Sequence, residues 1–252
     1  MYPSRHAVAP SRQAPAHGLA RVLSKLGVCS RSQAEREVRA GRVRVDGKIV
    51  RDPYAPVSDT HTIEVDGEPV TAAAPVYIMF NKPRGLIVSA ADEQGRDTVY
   101  DELAAAGLPW LGPFGRLDKA SEGLLLLSND SVWAARITEP SSHLEKTYHV
   151  QVDCVPTDEL MDQLLAGIDD AGERLRARQV SLLRAGSKNA WLEMVLDEGR
   201  NRHIRRLLAA HGVQVLRLLR VAIGPLQLGT LAKRQWRHLR AWEVAALGGA
   251  SR

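Results

Sequence analysis

"GPFGRLDKASEGLLLLSND", residues 112–130, places one carboxylate, Asp118, between Arg116 and Lys119 and just ahead of four consecutive leucines. Two readings compete. Asp118 and Ser121 are short polar residues of the kind that cap a helix, which would make Leu124 to Leu127 its apolar body. Alternatively, an ionised carboxylate stands beside cationic side chains at the mouth of an apolar site. Local spacing favours the cap, so the decision has to come from the rest of the chain.

The chain has 252 residues, 44% hydrophobic and 25% charged, a composition ordinary for a folded domain of one large body or a large and a small one. Its longest apolar run, around Leu124, is far too short for a membrane helix. The N-terminal "MYPSRHAVAPSRQAPAHG" lacks the apolar centre of a secretory signal, so residues 1–17 are expected to be a disordered tail. Two cysteines, Cys29 and Cys154, lie far apart and argue against a disulfide framework or a cysteine zinc site. A reducing cytoplasm is the expected home. The formal charge of +5 is uneven: residues 1–51 hold 11 Lys/Arg against 3 Asp/Glu, a net of +8, which leaves −3 for the remainder. A basic segment on a slightly acidic body suits a polyanionic partner.

That segment has its own pattern. Leu19, Val22, Leu23 and Leu26 recur at helical spacing. A second helix is expected from Ser30 or Ser32, with Ser32 and Glu35 fitting a capping box and Gly41 as its stop. Asp46-Gly47 in "RVRVDGKIV" and Asp66-Gly67 in "HTIEVDGEPV" are hairpin signals. Arg21, Lys25, Arg31, Arg36, Arg39, Arg42 and Arg44 fall on the helices and the turn into the first strand, where they can present one face to phosphates. "LSKLGVCSRSQAEREVRAGRVRVDGKIV" resembles the S4-type RNA-binding domain, which shares two short helices, a serine-arginine at the second helix start and a G-x-V-x-V-[DN]-G turn.

These patterns divide the chain into an S4-like domain over 18–70, a linker over 71–75 and a body over 76–248. In the body, "VYIMFNKPRGLIVSA" reads as strand, Pro83–Gly85 turn and second strand. "KTYHVQV" (146–152) and "AWLEMVL" (190–196) read as further strands; "TDELMDQLLAGI" and "NRHIRRLLAAHG" read as helices. Without regular βαβ alternation, the class expected is α+β, a mixed and mainly antiparallel sheet flanked by helices. Dinucleotide, Walker, zincin and nucleophile-elbow motifs are all missing, and the eight histidines are dispersed, so no cofactor and no metal is expected. A metal-dependent nuclease would need clustered carboxylates, and only Glu122 and Asp130 are near Asp118 in sequence. In "EGRNRHIRRLL", Arg202 and Arg205 are three apart and can share a helical face, with Arg206 turned away.

Taken together, "GRLDKASEGLLLLSND", "YIMFNKPRGLIVS", "EKTYHVQV" and "EGRNRHIRRLL…GVQVLRLLRVAIGPLQLGTL", closing on Trp236 to Leu239, resemble the RNA pseudouridine synthases of the RsuA-like ribosomal RNA branch. The likeness runs from about Leu19 to Leu239, in the family's order. His203 departs from it, standing where glutamine is usual. The resemblance implies that uridine in ribosomal RNA is isomerised, with Asp118 as nucleophile. Tyr148 would stack on the base, and Arg116 would fill the gap left by a flipped nucleotide. Arg205 would pair with Asp118, Asn201 and Arg202 would contact RNA or buttress the turn, and Lys82 and Pro83 would shape the bordering loop. Leu124 to Leu127 becomes the apolar wall behind the carboxylate. The likeness leans towards large-subunit members, and a monomer is expected. The competing reading is a non-catalytic RNA-binding or ribosome-assembly factor.

Overall fold

The computed structural model describes residues 16–90, 94–139 and 144–248 and divides into two compact units that meet between Ala73 and Ala74. The expected tail falls outside the described residues over 1–15. His17 belongs to a short strand, β1 (His17–Gly18), paired with β4 (Pro56–Val57).

In the first unit, α1 (Leu19–Lys25) and α2 (Arg31–Arg39) bury Leu19, Leu23, Ala34 and Val38 against Val43 and Ile63. The start of α2 is set by Ser30, whose hydroxyl accepts from Gln33 N at 3.2 Å. The Ser32–Glu35 box does not form, because Glu35 turns sideways to Arg31 and Arg39, at 3.8 and 3.5 Å. Four short strands follow, β2 (Val43–Val45), β3 (Lys48–Ile49), β5 (Ile63–Val65) and β6 (Glu68–Pro69), in the order β3-β2-β5-β6. Both Asp-Gly pairs have positive φ at each residue, the geometry of a two-residue hairpin turn.

The second unit is built on one sheet, ordered β13-β14-β10-β15-β9-β7-β17, with β8 beside β9 and β16 beside β15. In chain order its elements begin β7 (Tyr77–Lys82), α3 (Val99–Leu103), β8 (Gly112–Phe114), β9 (Glu122–Ser128), α4 (Ser131–Thr138) and β10 (Lys146–Val152). Next come α5 (Asp158–Ala166), the hairpin β11 (Ile168–Asp170) and β12 (Glu173–Leu175), then β13 (Gln179–Ala185) and β14 (Ala190–Leu196). The chain ends with α6 (His203–Ala209), β15 (Val215–Ile223), β16 (Leu226–Gln227), β17 (Trp236–His238) and α7 (Ala241–Gly248). Among the described residues every pairing in the sheet is antiparallel except β9 with β15, so the architecture is α+β with a mixed, mainly antiparallel sheet.

The four leucines are therefore a strand, which corrects the helix that Asp118 and Ser121 would have capped. Leu125 and Leu127 face Val99 and Leu103 of α3, while Leu124 and Leu126 face Trp133 and Ile137 of α4 and Leu247 of α7. All four are 0% exposed. A central strand covered on both faces has no polar side to show, so its sequence is a continuous apolar run. The second strand expected after the Pro83–Gly85 turn is also corrected: only Ile87 pairs, in a single bridge to Thr98.

Candidate active site

Between Gly115 and β9 the chain forms a loop whose carbonyls are held from behind. Asp118 O accepts from Lys82 Nζ at 3.1 Å and from Ser121 N at 3.0 Å. Lys119 O accepts from Gly85 N at 2.8 Å, Ala120 O from Arg205 Nη2 at 3.2 Å, and Ser121 O from Lys82 Nζ at 2.8 Å. Lys82 comes from the end of β7 and is fully buried, with a third bond to Pro83 O at 3.2 Å. Burial pushes its ammonium down to about 8, partly offset by the charges of Asp118 and Glu122. Leu117 is buried in the core below, which leaves Arg116 and Asp118 on the open side of the loop.

That side is a cavity of about 390 Å³. Its lining includes Arg116 and Asp118 from the loop, Tyr148 from β10, Leu218 and Arg220 from β15, and Asn201 and Arg202 from the turn before α6. Tyr148 is 9% exposed, in register with Met194 on one side and Arg220 on the other. Asp118, Arg116, Tyr148, Asn201 and Arg202, separated by up to 86 positions in sequence, are thus brought to one cavity.

The arginine cluster is arranged differently from its spacing. Arg202 has φ 49° and ψ 31° and stands just outside α6, so it shares no helical face with Arg205. From there its Nη1 reaches Asp118 Oδ2 at 3.9 Å. Arg205 lies inside the first turn of α6 and points under the loop, donating to Val215 O at 3.3 Å as well as to Ala120 O. Arg205 thus bonds the loop backbone, with the Asp118 charge acting on it at longer range, and Arg202 is the arginine within 4 Å of the carboxylate. Arg206 is spent on the β11–β12 hairpin, at 2.6 Å from Asp170 and 2.5 Å from Glu173. His203 is buried with Nε2 3.1 Å from both the amide and the carbonyl of Arg176, and burial holds its pKa down.

Lys146 and Arg220 also line the cavity. Both lie in segments that carry the family resemblance, "EKTYHVQV" and "LRLLRVAIG", which assigned them no role of their own. Of the basic residues in the first unit, Arg21, Lys25, Arg31, Arg39, Arg42 and Arg44 are all exposed. Arg31 and Arg39 share Glu35, Arg42 pairs with Glu37, and Arg44 donates to Gly47 O. Among the described residues no three His, Cys, Asp or Glu side chains gather as a metal site, and no helix is long and apolar enough to cross a membrane.

The family model described as RNA pseudouridylate synthase matches residues 76–210, and the S4 domain model matches residues 18–63. The ribosomal large subunit pseudouridine synthase B of Bacillus subtilis (strain 168) is 35% identical over 232 residues, covering 91% of this chain and 94% of that one. An RNA pseudouridine synthase of Aquifex aeolicus (strain VF5) is 37% identical over 227 residues, covering 89% and 91%. A crystal structure of a pseudouridylate synthase superposes with a TM-score of 0.62 at 29% identity, covering 92% of this chain and 99% of that one.

Proposed function

The chain belongs to the RNA pseudouridine synthase family and carries an S4 domain, and we propose that it converts one uridine of ribosomal RNA, large-subunit RNA by preference, to pseudouridine. Asp118 is the nucleophile in this reading. The observation that carries it is the division of labour at Asp118: the backbone is pinned by Lys82, while the residue lines the same cavity as Tyr148.

The chemistry follows from the bond that changes. Uracil is joined to ribose through N1 in uridine and through C5 in pseudouridine, so the base must detach, turn and rejoin inside one pocket. A target stacked in RNA is out of reach, and the nucleotide has to flip into the cavity. Arg116, exposed at the rim, fills the place it leaves and contacts backbone. Tyr148 supports the base against the sheet, and Arg202 aims the Asp118 carboxylate, its Nη1 standing 3.9 Å from Oδ2. Asp118 acts either by adding to the ring or by attack at the ribose, and both begin at the same carboxylate. The exposed arginines of the S4 domain, with Asn201 and Arg202 at the cavity, hold the RNA. The chain works as a cytoplasmic monomer, with no metal or cofactor taking part.

The test is to map pseudouridines in ribosomal RNA from cells with this protein, without it, and with Asp118→Asn. One site lost in both defective strains is the expected result. Retention of every site in the Asp118→Asn strain would overturn the nucleophile assignment.

A further inference from the structure

Arg220 lies in the middle of β15 with only 4% of its surface exposed. Its Nε donates to Leu124 O at 2.7 Å, but its Nη2 is buried with no hydrogen-bond partner among the described residues. Register places Arg220 directly across from Tyr148, and side chains opposite one another on paired strands share a face. Both line the cavity that Asp118 enters. A second cation, Lys146, lines it two residues before Tyr148, and its pKa is lowered by burial and by the Arg220 charge. An unpaired guanidinium N–H in a buried place costs stability. Keeping one beside a second cation, in a residue that lines a cavity, makes sense when a ligand supplies the acceptor and negative charge.

Granting the uridine reading above, the acceptors a flipped uracil carries on its ring are O2 and O4. When the Asp118 oxygen bonds to C6, the C5–C6 π pair moves through C4 onto O4. When instead the ribose is attacked and the C1′–N1 bond breaks, its electron pair stays on the ring and is shared by N1, O2 and O4. Either route charges O4. On the first route the C1′–N1 bond then breaks as well. On either route C5 bonds to C1′, the bond from Asp118 to C6 or to C1′ returns its electron pair to the carboxylate, C5 gives up its proton and N1 takes one, so no electrons are gained or lost. We infer that Arg220 is a catalytic residue, its guanidinium donating to uracil O4 where negative charge builds, with Lys146 supplying a second positive charge to the same cavity. Donors placed where charge develops act on the chemical step more than on binding.

The experiment uses ribosomal RNA fragments carrying uridine, 4-thiouridine or 2-thiouridine at the mapped position, in single-turnover reactions with the intact chain and with Arg220→Gln. Arg220→Gln is expected to slow isomerisation of uridine by about 100-fold, with RNA affinity within about threefold. Sulfur is a poor acceptor, so the O4-to-S4 rate ratio should drop by about tenfold or more in the variant, the worth of one charge-assisted hydrogen bond. The O2-to-S2 ratio should stay the same. Equal O4-to-S4 ratios in the two proteins would overturn the assignment, as would a change confined to O2. If Arg220→Gln does not fold, Arg220→Lys keeps the cation, and the same ratio must still move. Absence of pseudouridine with the unaltered chain would overturn the reading of the site itself; product with unmoved ratios would overturn this inference alone.

Discussion

Lys82 and Asp118 are joined through the backbone: Lys82 Nζ donates to the Asp118 carbonyl oxygen at 3.1 Å, and two further carbonyls, of Pro83 and Ser121, complete its three donors. An ammonium has one N–H for each. It therefore fastens the end of β7 to both ends of the Asp118 turn without neutralising the carboxylate that faces the cavity. Position is set from the buried side and reactivity is left on the open side.

This arrangement makes a pH prediction of two opposite signs. Lys82 titrates near 8 in the folded protein and at its ordinary value of 10.5 in the unfolded chain. Between those values the unfolded chain binds the extra proton, so Lys82 makes stability rise with pH across that window. Function runs the other way. A neutral amine has two N–H groups for three carbonyls, the turn loosens, and turnover should fall by about tenfold towards pH 9, since small misplacements at a reacting centre are costly. Profiles of turnover and of urea midpoint against pH, measured on the native chain and Lys82→Met, should diverge above pH 8. Superimposable profiles would refute the role given to Lys82.

Arg202 and Arg205 separate aim from support. Arg205→Ala strips donors from Ala120 O and Val215 O inside the protein and should cost about 2–3 kcal/mol, with a lowered Tm. Arg202→Ala removes a half-exposed side chain at the edge of the cavity and should leave Tm nearly unchanged while lowering kcat. Thermal melts alongside single-turnover rates distinguish the two. A large Tm loss in Arg202→Ala and none in Arg205→Ala would reverse the assignments.

The fold was most legible where local pattern and tertiary role agree. The strands β10 and β14 alternate because one face meets the core of α5 and α6 and the other is more open, so their bounds could be read from 146–152 and 190–196. The two Asp-Gly hairpins are local by nature. β9 was not legible, since a short apolar run after cap-like residues is the same text for a buried strand and a buried helix. What decides it is distant: Lys82, Gly85 and Arg205 take the loop carbonyls that a helix would have used. At the site, residue identities were readable but not all their partners. Nothing local announces that Arg202 takes a left-handed φ just ahead of α6, or that its guanidinium stands 3.9 Å from Asp118.

In the S4 domain, exposed charges differ in how free they are to meet phosphate. Arg21 and Lys25 on α1 are exposed, whereas Arg42 is tied to Glu37 and Arg31 and Arg39 share Glu35. Arg21→Gln and Lys25→Gln should each weaken RNA binding and flatten the slope of log affinity against log salt by about one. Arg42→Gln should do less. Titrations at four salt concentrations suffice, and an unchanged slope in the Arg21→Gln, Lys25→Gln double variant would remove α1 from the RNA contact surface.

The last prediction concerns the seam between β9 and β15, the one parallel pairing in the sheet and the join that sets Arg220 near the Asp118 loop. Gly123 has φ +102°, and a Cβ there would lie 2.3 Å from Arg220 O and 2.9 Å from Arg220 N. Those are backbone atoms of the paired strand, so nothing can swing aside; the strands must part. Gly85 has nearly the same torsion, φ +103°, yet an added Cβ would meet nothing within 4 Å. Gly85→Ala should therefore cost only the left-handed backbone penalty, about 1–2 kcal/mol. Gly123→Ala should cost that plus the forced separation, about 4 kcal/mol or more, and it should reduce isomerisation beyond what its stability loss explains, because Arg220 moves with β15. Denaturation midpoints of the two variants give the comparison directly. Equal losses would mean that β9 and β15 can move apart without strain, and the close seam would then not be what positions Arg220.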